Sequence, residues 1–119
     1  MKKTLIIGAS NNTERYAYKA AERLLQHGHE IELLGLRSDV IFDKTIQTEK
    51  VHYSDIDTVT LYVSAKYQSD YYDYIVSLQP NRVIFNPGTE NNELEDLLKD
   101  NNIFFEHVCT LVLLGTNQY

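Results

Sequence analysis

Behind the first hydrophobic run lies Gly8-Ala9-Ser10-Asn11, with Arg15 and Lys19 close after it. These residue types bind anions. Gly8 permits a tight turn, Ala9 and Ser10 are small enough to leave backbone N–H groups approachable, and the two cations add charge-assisted bonds to phosphate oxygens. A further cation, Arg37, follows Gly35-Leu36 at the end of a later apolar run. NAD-binding sites carry an acid at that place for the ribose hydroxyls, whereas a cation suits a ribose bearing a phosphate, as in NADP or coenzyme A. A plain strand-to-helix turn and a solvated surface arginine are the alternatives, and neither short stretch decides between them.

Other reactive residues point less clearly to chemistry. His107 stands two residues before Cys109, so on a strand the pair would share a face and His107 could activate the thiol. The plainer reading is a buried strand cysteine beside a hydrogen-bonded histidine, because free cysteine behaves as a small hydrophobe. Were Cys109 to reach a bound thiol, an oxidant that takes up two electrons could instead join the two in a mixed disulfide. Glu90, Glu93, Glu95 and Asp96 read as acids at a helix start, which favours negative charge. The histidines His27, His29 and His52 have no metal-ligand spacing, and one cysteine allows no zinc site.

Strands and helices alternate along the chain. Residues 3–8, 30–36, 57–63, 82–86 and 103–109 read as five strands, and 15–28, 67–79 and 92–102 as helices. Strands such as Leu5-Ile6-Ile7 and Val83-Ile84-Phe85 are apolar without alternation, as parallel strands buried on both faces are. Gly28 and Pro80 end the first two helices, the first of which sets Ala17, Ala20, Ala21, Leu24 and Leu25 on one face. Residues 38–56 break the pattern and read as a small hairpin or a short extra strand. The expectation is an α/β, three-layer Rossmann-like fold with a five-stranded, mostly parallel sheet and helices on both faces. Ligands then bind beyond the carboxyl ends of the strands. There lie Gly8 to Arg15, Gly35 to Arg37, Val63 to Lys66, Asn86 to Thr89, and Cys109 with Thr110.

Length and composition narrow the classes. The 119 residues suit one domain spanning 1–119, and 43% hydrophobic with 24% charged residues is globular composition. A net charge of −6 disfavours general nucleic-acid binding. No apolar run is long enough for a membrane span or a secretory signal, and the lone Cys109 suits a reducing compartment. A cytoplasmic protein is therefore expected. Tyr67, Tyr71, Tyr72 and Tyr74 are read as covering the sheet or forming a homodimer surface.

Taken in order, the stretches around Gly8 to Ala20, Leu34 to Arg37, Thr60 to Val63, Phe85 to Asn91 and Cys109 to Gly115 resemble the small stand-alone CoA-binding proteins. These share the nucleotide-binding domain of the succinyl-CoA synthetase α subunit. The likeness runs from about Lys3 to Thr116. It implies a Rossmann-like fold and binding of coenzyme A, mostly with no assigned enzymatic activity. It also implies that Gly8, Ala9 and Ser10 form the phosphate loop, with Asn11 beside them and Arg15 as its basic residue. Tyr18 matches a frequently aromatic position, and Arg37 takes the place of a lysine. Asn86, Pro87 and Gly88 match the loop after the fourth strand, and Cys109 the cysteine after the fifth. Thr13, Ala17 and Leu36 depart from a proline, a serine and a proline common in the family. Lys19 and Gly35 fall at the same crevice, where Val63 and Ser64 would pack against the adenine or the pantetheine arm. The expected activity is non-catalytic binding of coenzyme A or an acyl-CoA, a small-molecule nucleotide ligand. A small NADP-dependent oxidoreductase and a CoA-site subunit of a larger complex are the competing readings.

Overall fold

The computed structural model describes residues 2–119. In chain order the elements are β1 (Thr4–Ile7), α1 (Tyr16–Gln26), β2 (Ile31–Leu34), β3 (Val40–Ile41), β4 (Lys44–Gln47), β5 (Thr58–Leu61), α2 (Tyr72–Leu78), β6 (Arg82–Phe85), α3 (Asn92–Asp100), β7 (Phe105–His107) and α4 (Thr110–Gly115). Two short 3-10 turns, Ala65–Tyr67 and Ser69–Tyr71, precede α2.

The strands form one seven-stranded sheet in the order β3-β4-β2-β1-β5-β6-β7. All neighbours are parallel except β3 and β4, which make an antiparallel hairpin. The expected five strands are therefore the parallel set from β2 to β7, and the hairpin within residues 38–56 adds two more. This is the small hairpin that the sequence offers there beside the alternative of a single strand; periodicity does not decide between them because β3 is two residues long and β4 buries only Ile46.

Strand alternation divides the core into two layers. Leu5 and Ile7 of β1 pack with Ile75 and Leu78 of α2 and Leu94 and Leu98 of α3. Ile6 faces the other way, toward Ala17, Ala21 and Leu24 of α1 and Leu114 of α4. Each such Leu or Ile side chain taken fully from water is worth about 1.5–3 kcal/mol before the entropy cost of ordering it.

Several local expectations shift. Leu25 is exposed rather than part of the buried face of α1. The helix expected over 67–79 splits into the 3-10 turns and a short α2, which leaves Tyr67 out on the surface while Tyr74 packs on the sheet. The last strand stops at His107, so Cys109 lies beyond it, and the apolar residues after it form α4. His107 and Cys109 thus do not share a strand face. No helix among the described residues is long and apolar enough to cross a membrane.

After β1 the chain turns to one side for β2, then returns past β1 to place β5 on its other side. This reversal opens a crevice at the carboxyl ends of β1, β2 and β5.

Candidate functional site

The crevice has a volume of about 850 Å³, within the size range of small-molecule sites. Its floor is made by three strand ends pressed together. Gly8 has φ +96°, and a Cβ there would stand 2.8 Å from the Tyr62 carbonyl oxygen. A Cβ on Gly35 would stand 2.4 Å from the Ala9 carbonyl oxygen. Both positions thus require glycine for close backbone approach. The Gly8 and Ala9 N–H groups both donate to the Leu34 carbonyl, at 2.9 and 3.0 Å. They tie the loops after β1 and β2 together and are not the open donors that the sequence suggests.

Further along, the loop after β1 is held by its own side chains. Ser10 Oγ accepts from the Asn12 N–H at 3.0 Å, and Asn12 Oδ1 accepts from the Glu14 N–H at 2.9 Å. The Asn11 amide donates to the Asp39 carboxylate at 2.6 Å, and this bond with the Val40 N–H holds the Asp39 carboxyl below its ordinary pKa. Helix α1 begins at Tyr16, with an extended Arg15 whose side chain makes no capping bond, and it has no acid in its first turn. The first N–H groups of α1 thus have neither an intrahelical acceptor nor a side-chain cap. No acid within the first turn offsets their positive end. Arg15 and Arg37 are both exposed and both line the crevice.

The opposite wall, after β5, consists of Val63, Ser64, Tyr67, Asp70 and Tyr71. Gln68 behind it is fully buried. Its amide donates to the carbonyls of Val63 and Thr89, each at 2.7 Å, and its Oε1 accepts from Asn91 Nδ2 at 2.9 Å. The wall is therefore bolted to the loop after β6. Tyr62 lies beneath it. Its hydroxyl is the one buried side-chain polar atom without a partner among the described residues, and burial pushes its pKa up.

Of the residues expected at the site, the structure gathers Gly8, Ala9, Ser10, Asn11, Arg15, Gly35, Arg37, Val63 and Ser64 around the crevice. Tyr18 instead packs on Phe42, with ring centroids 4.9 Å apart, and the Lys19 ammonium sits 5.4 Å from the centre of the Tyr16 ring. Asn86 is buried in the scaffold. It donates to Thr60 Oγ1 at 2.6 Å and the Leu61 carbonyl at 2.8 Å, and it accepts from the Thr110 N–H at 2.9 Å. Pro87 and Gly88 form an exposed turn whose Gly88 N–H donates to the Glu90 carboxylate. Cys109 is half-buried at the start of α4, outside the crevice lining. His107 pairs with Glu95 at 3.0 Å.

Sequence reasoning misses the tyrosines of the crevice. Tyr16 and Tyr62 lie inside the stretches Gly8 to Ala20 and Thr60 to Val63 without being singled out there, while Tyr67 and Tyr71 read as sheet cover only if one continuous helix spans 67–79. A second groove of about 460 Å³ lies at the other end of the sheet. Three of its four charged side chains are already engaged: Lys3 pairs with Asp55 of the lining and with Glu32, and Asp57 accepts from Thr58 and Asn81.

Comparison with known proteins gives the family and the fold. A family model described as a CoA binding domain matches residues 2–115. A solved structure described as an uncharacterized protein is 51% identical, covers 100% of this chain and 98% of its own, and superposes with a TM-score of 0.96. A protein from Thermus thermophilus, 16% identical over 99% of this chain and 90% of its own, gives a TM-score of 0.86. A hypothetical protein from Pyrococcus horikoshii OT3, 21% identical over 97% of this chain and 82% of its own, gives 0.85. The last two likenesses concern the fold alone. A search of curated proteins found no match.

Proposed function

This chain belongs to the family of CoA-binding domains, and from that premise we propose that it binds coenzyme A or an acyl-CoA in the crevice above β1, β2 and β5 without transforming it. One observation carries the reading: the uncapped start of α1, with Arg15 and Arg37 beside it, faces a crevice at the switch point of the sheet. Coenzyme A presents a pyrophosphate and a 3′-phosphate, so it needs more than one anion contact. The helix start and Arg15 suit one group, and Arg37 after β2 suits the phosphate on the ribose. The doubly wound order around β1 supports a Rossmann-like assignment. A cytoplasmic setting fits the lone thiol.

A thermal-shift titration of the reduced protein with coenzyme A, dephospho-CoA and NADP tests this. At about a hundred times its dissociation constant a ligand adds about 2.7 kcal/mol, several degrees in a domain of this size. Coenzyme A is expected to stabilise most and dephospho-CoA less. A shift with NADP alone would replace the reading with that of a reductase, and no shift with any of the three would remove it. Recovery of a second polypeptide with the purified chain would make it the CoA-site subunit of a larger complex.

A further inference from the structure

We propose that the β5 side of the crevice is a subsite for an uncharged acyl group, so that the occupant is a CoA thioester whose acyl chain carries no carboxylate. This inference rests on the CoA reading above and adds the class of ligand. The strand order β2-β1-β5 sets the crevice out in a line, with Arg37 after β2 at one end and Asp70 beyond β5 at the other. Both arginines of the lining belong to the loops after β1 and β2, and the single charged side chain that lines the crevice on the β5 side is Asp70. In coenzyme A all three phosphates sit at the nucleotide end and the thiol at the far end of a neutral arm. Charge matching therefore directs the phosphates to the arginines and runs the arm toward Val63, Tyr67 and Tyr71.

That wall is built for an apolar occupant. Tyr67 is 61% exposed and Tyr16, across the crevice, 67%, so each offers ring surface that an acyl chain would cover. Lys66 and Lys50 approach the rings of Tyr67 and Tyr71, at 5.0 and 5.6 Å from their centres, but neither lines the crevice. The wall is also preformed. Gln68 anchors it through three hydrogen bonds, two of them fully buried, so little ordering is left for the ligand to impose.

The test is a low-salt calorimetric titration of the reduced full chain with coenzyme A, butyryl-CoA and succinyl-CoA, repeated on Asp70→Asn and Tyr67→Ala. Both side chains are exposed, so the variants keep the core intact. Butyryl-CoA is expected to bind about threefold to tenfold more tightly than coenzyme A, from the methylenes it buries. Succinyl-CoA is expected to bind about threefold to fivefold less tightly than butyryl-CoA, from repulsion by an exposed carboxylate in water. Asp70→Asn should narrow that gap, and Tyr67→Ala should bring butyryl-CoA to the affinity of coenzyme A. Succinyl-CoA binding as tightly as butyryl-CoA, or butyryl-CoA gaining nothing over coenzyme A, would overturn the subsite while leaving the CoA reading standing. Failure of all three ligands to bind would overturn both.

Discussion

Two strand-to-helix loops at the same end of the sheet, one after β1 and one after β6, look alike in sequence and finish in opposite states. Each has a glycine in the left-handed region, Gly8 and Gly88, followed by asparagines and a helix. The second loop satisfies itself. Asn91 caps α3 by accepting from the N–H groups of Glu93 and Leu94, Glu93 and Glu95 supply the acids of its first turn, and Asn86 is locked between Thr60 and Thr110. The first loop leaves α1 without a capping side chain or an acid in its first turn, and sets Arg15 at its start instead. A cation at a helix N-terminus is locally unfavourable. On the proposed function, the difference separates a loop that serves the fold from one left open to an anion.

The glycines test that comparison most severely. Gly8→Ala drives a Cβ into the Tyr62 carbonyl at 2.8 Å, with Val63 Cγ2 at 3.0 Å. With the strained φ, the expected loss is about 2–4 kcal/mol, read as Tm. Gly88→Ala has a similar φ but nothing within 4 Å of the new atom, so it should cost about 1 kcal/mol. Equal losses would mean that the close approach under the first loop is not what Gly8 is for.

Next come the two helix starts. Asn91→Ala removes the cap of α3 and strips partners from Gln68 and Tyr72, for an expected loss of about 2–3 kcal/mol in denaturant unfolding. Arg15→Ala should act with the opposite sign on stability. It is expected to raise it by about 0.3–1 kcal/mol while weakening coenzyme A about tenfold in titration. A destabilised Arg15→Ala with unchanged affinity would reduce the first loop to scaffold like the second. Arg37→Ala should bring coenzyme A down to the affinity of dephospho-CoA and leave stability alone, as befits an exposed side chain.

The smallest effect is in pH. Asp39 is held below its usual pKa by the Asn11 amide and then the Val40 N–H, and Glu90 below its own by its own N–H and then that of Gly88. A carboxyl with a depressed folded pKa stabilises the protein above its unfolded pKa, and that contribution is lost as pH falls through the folded one. Starting from ordinary values of 3.8 and 4.5, the Tm difference between wild type and Asp39→Ala or Glu90→Ala should be small and constant near neutrality. It should close as the pH drops below about 4. A difference that grows in acid would contradict both bonds.

Much of the fold is legible in the sequence because its signals are local and repeated. Leu5-Ile6-Ile7 and Val83-Ile84-Phe85 read as doubly covered strands, and they are fully buried. Gly28, at φ +81°, follows α1 closely, as its position suggests. The β3–β4 hairpin and α4 are too short for periodicity to register. At the site, the residues after β1, β2 and β5 can be found by taking the segment directly beyond each strand. The roles of Asn86 and Gln68 cannot, because an asparagine after a strand reads the same whether it meets a ligand or a buried Thr60.

By itself, the sequence determined the strand–helix alternation, the layers that cover the sheet and the segments that reach its carboxyl end. Those arise from apolar spacing and from glycine, which act over a few residues. Only the tertiary structure decided which of those segments share a crevice. Strand order puts β5 beside β1 and β6 one place further out, so the loop after β5 becomes a wall of the crevice while the loop after β6 becomes the support behind that wall. Neighbourhood across a sheet is set by long-range pairing, and no local pattern of residue types records it.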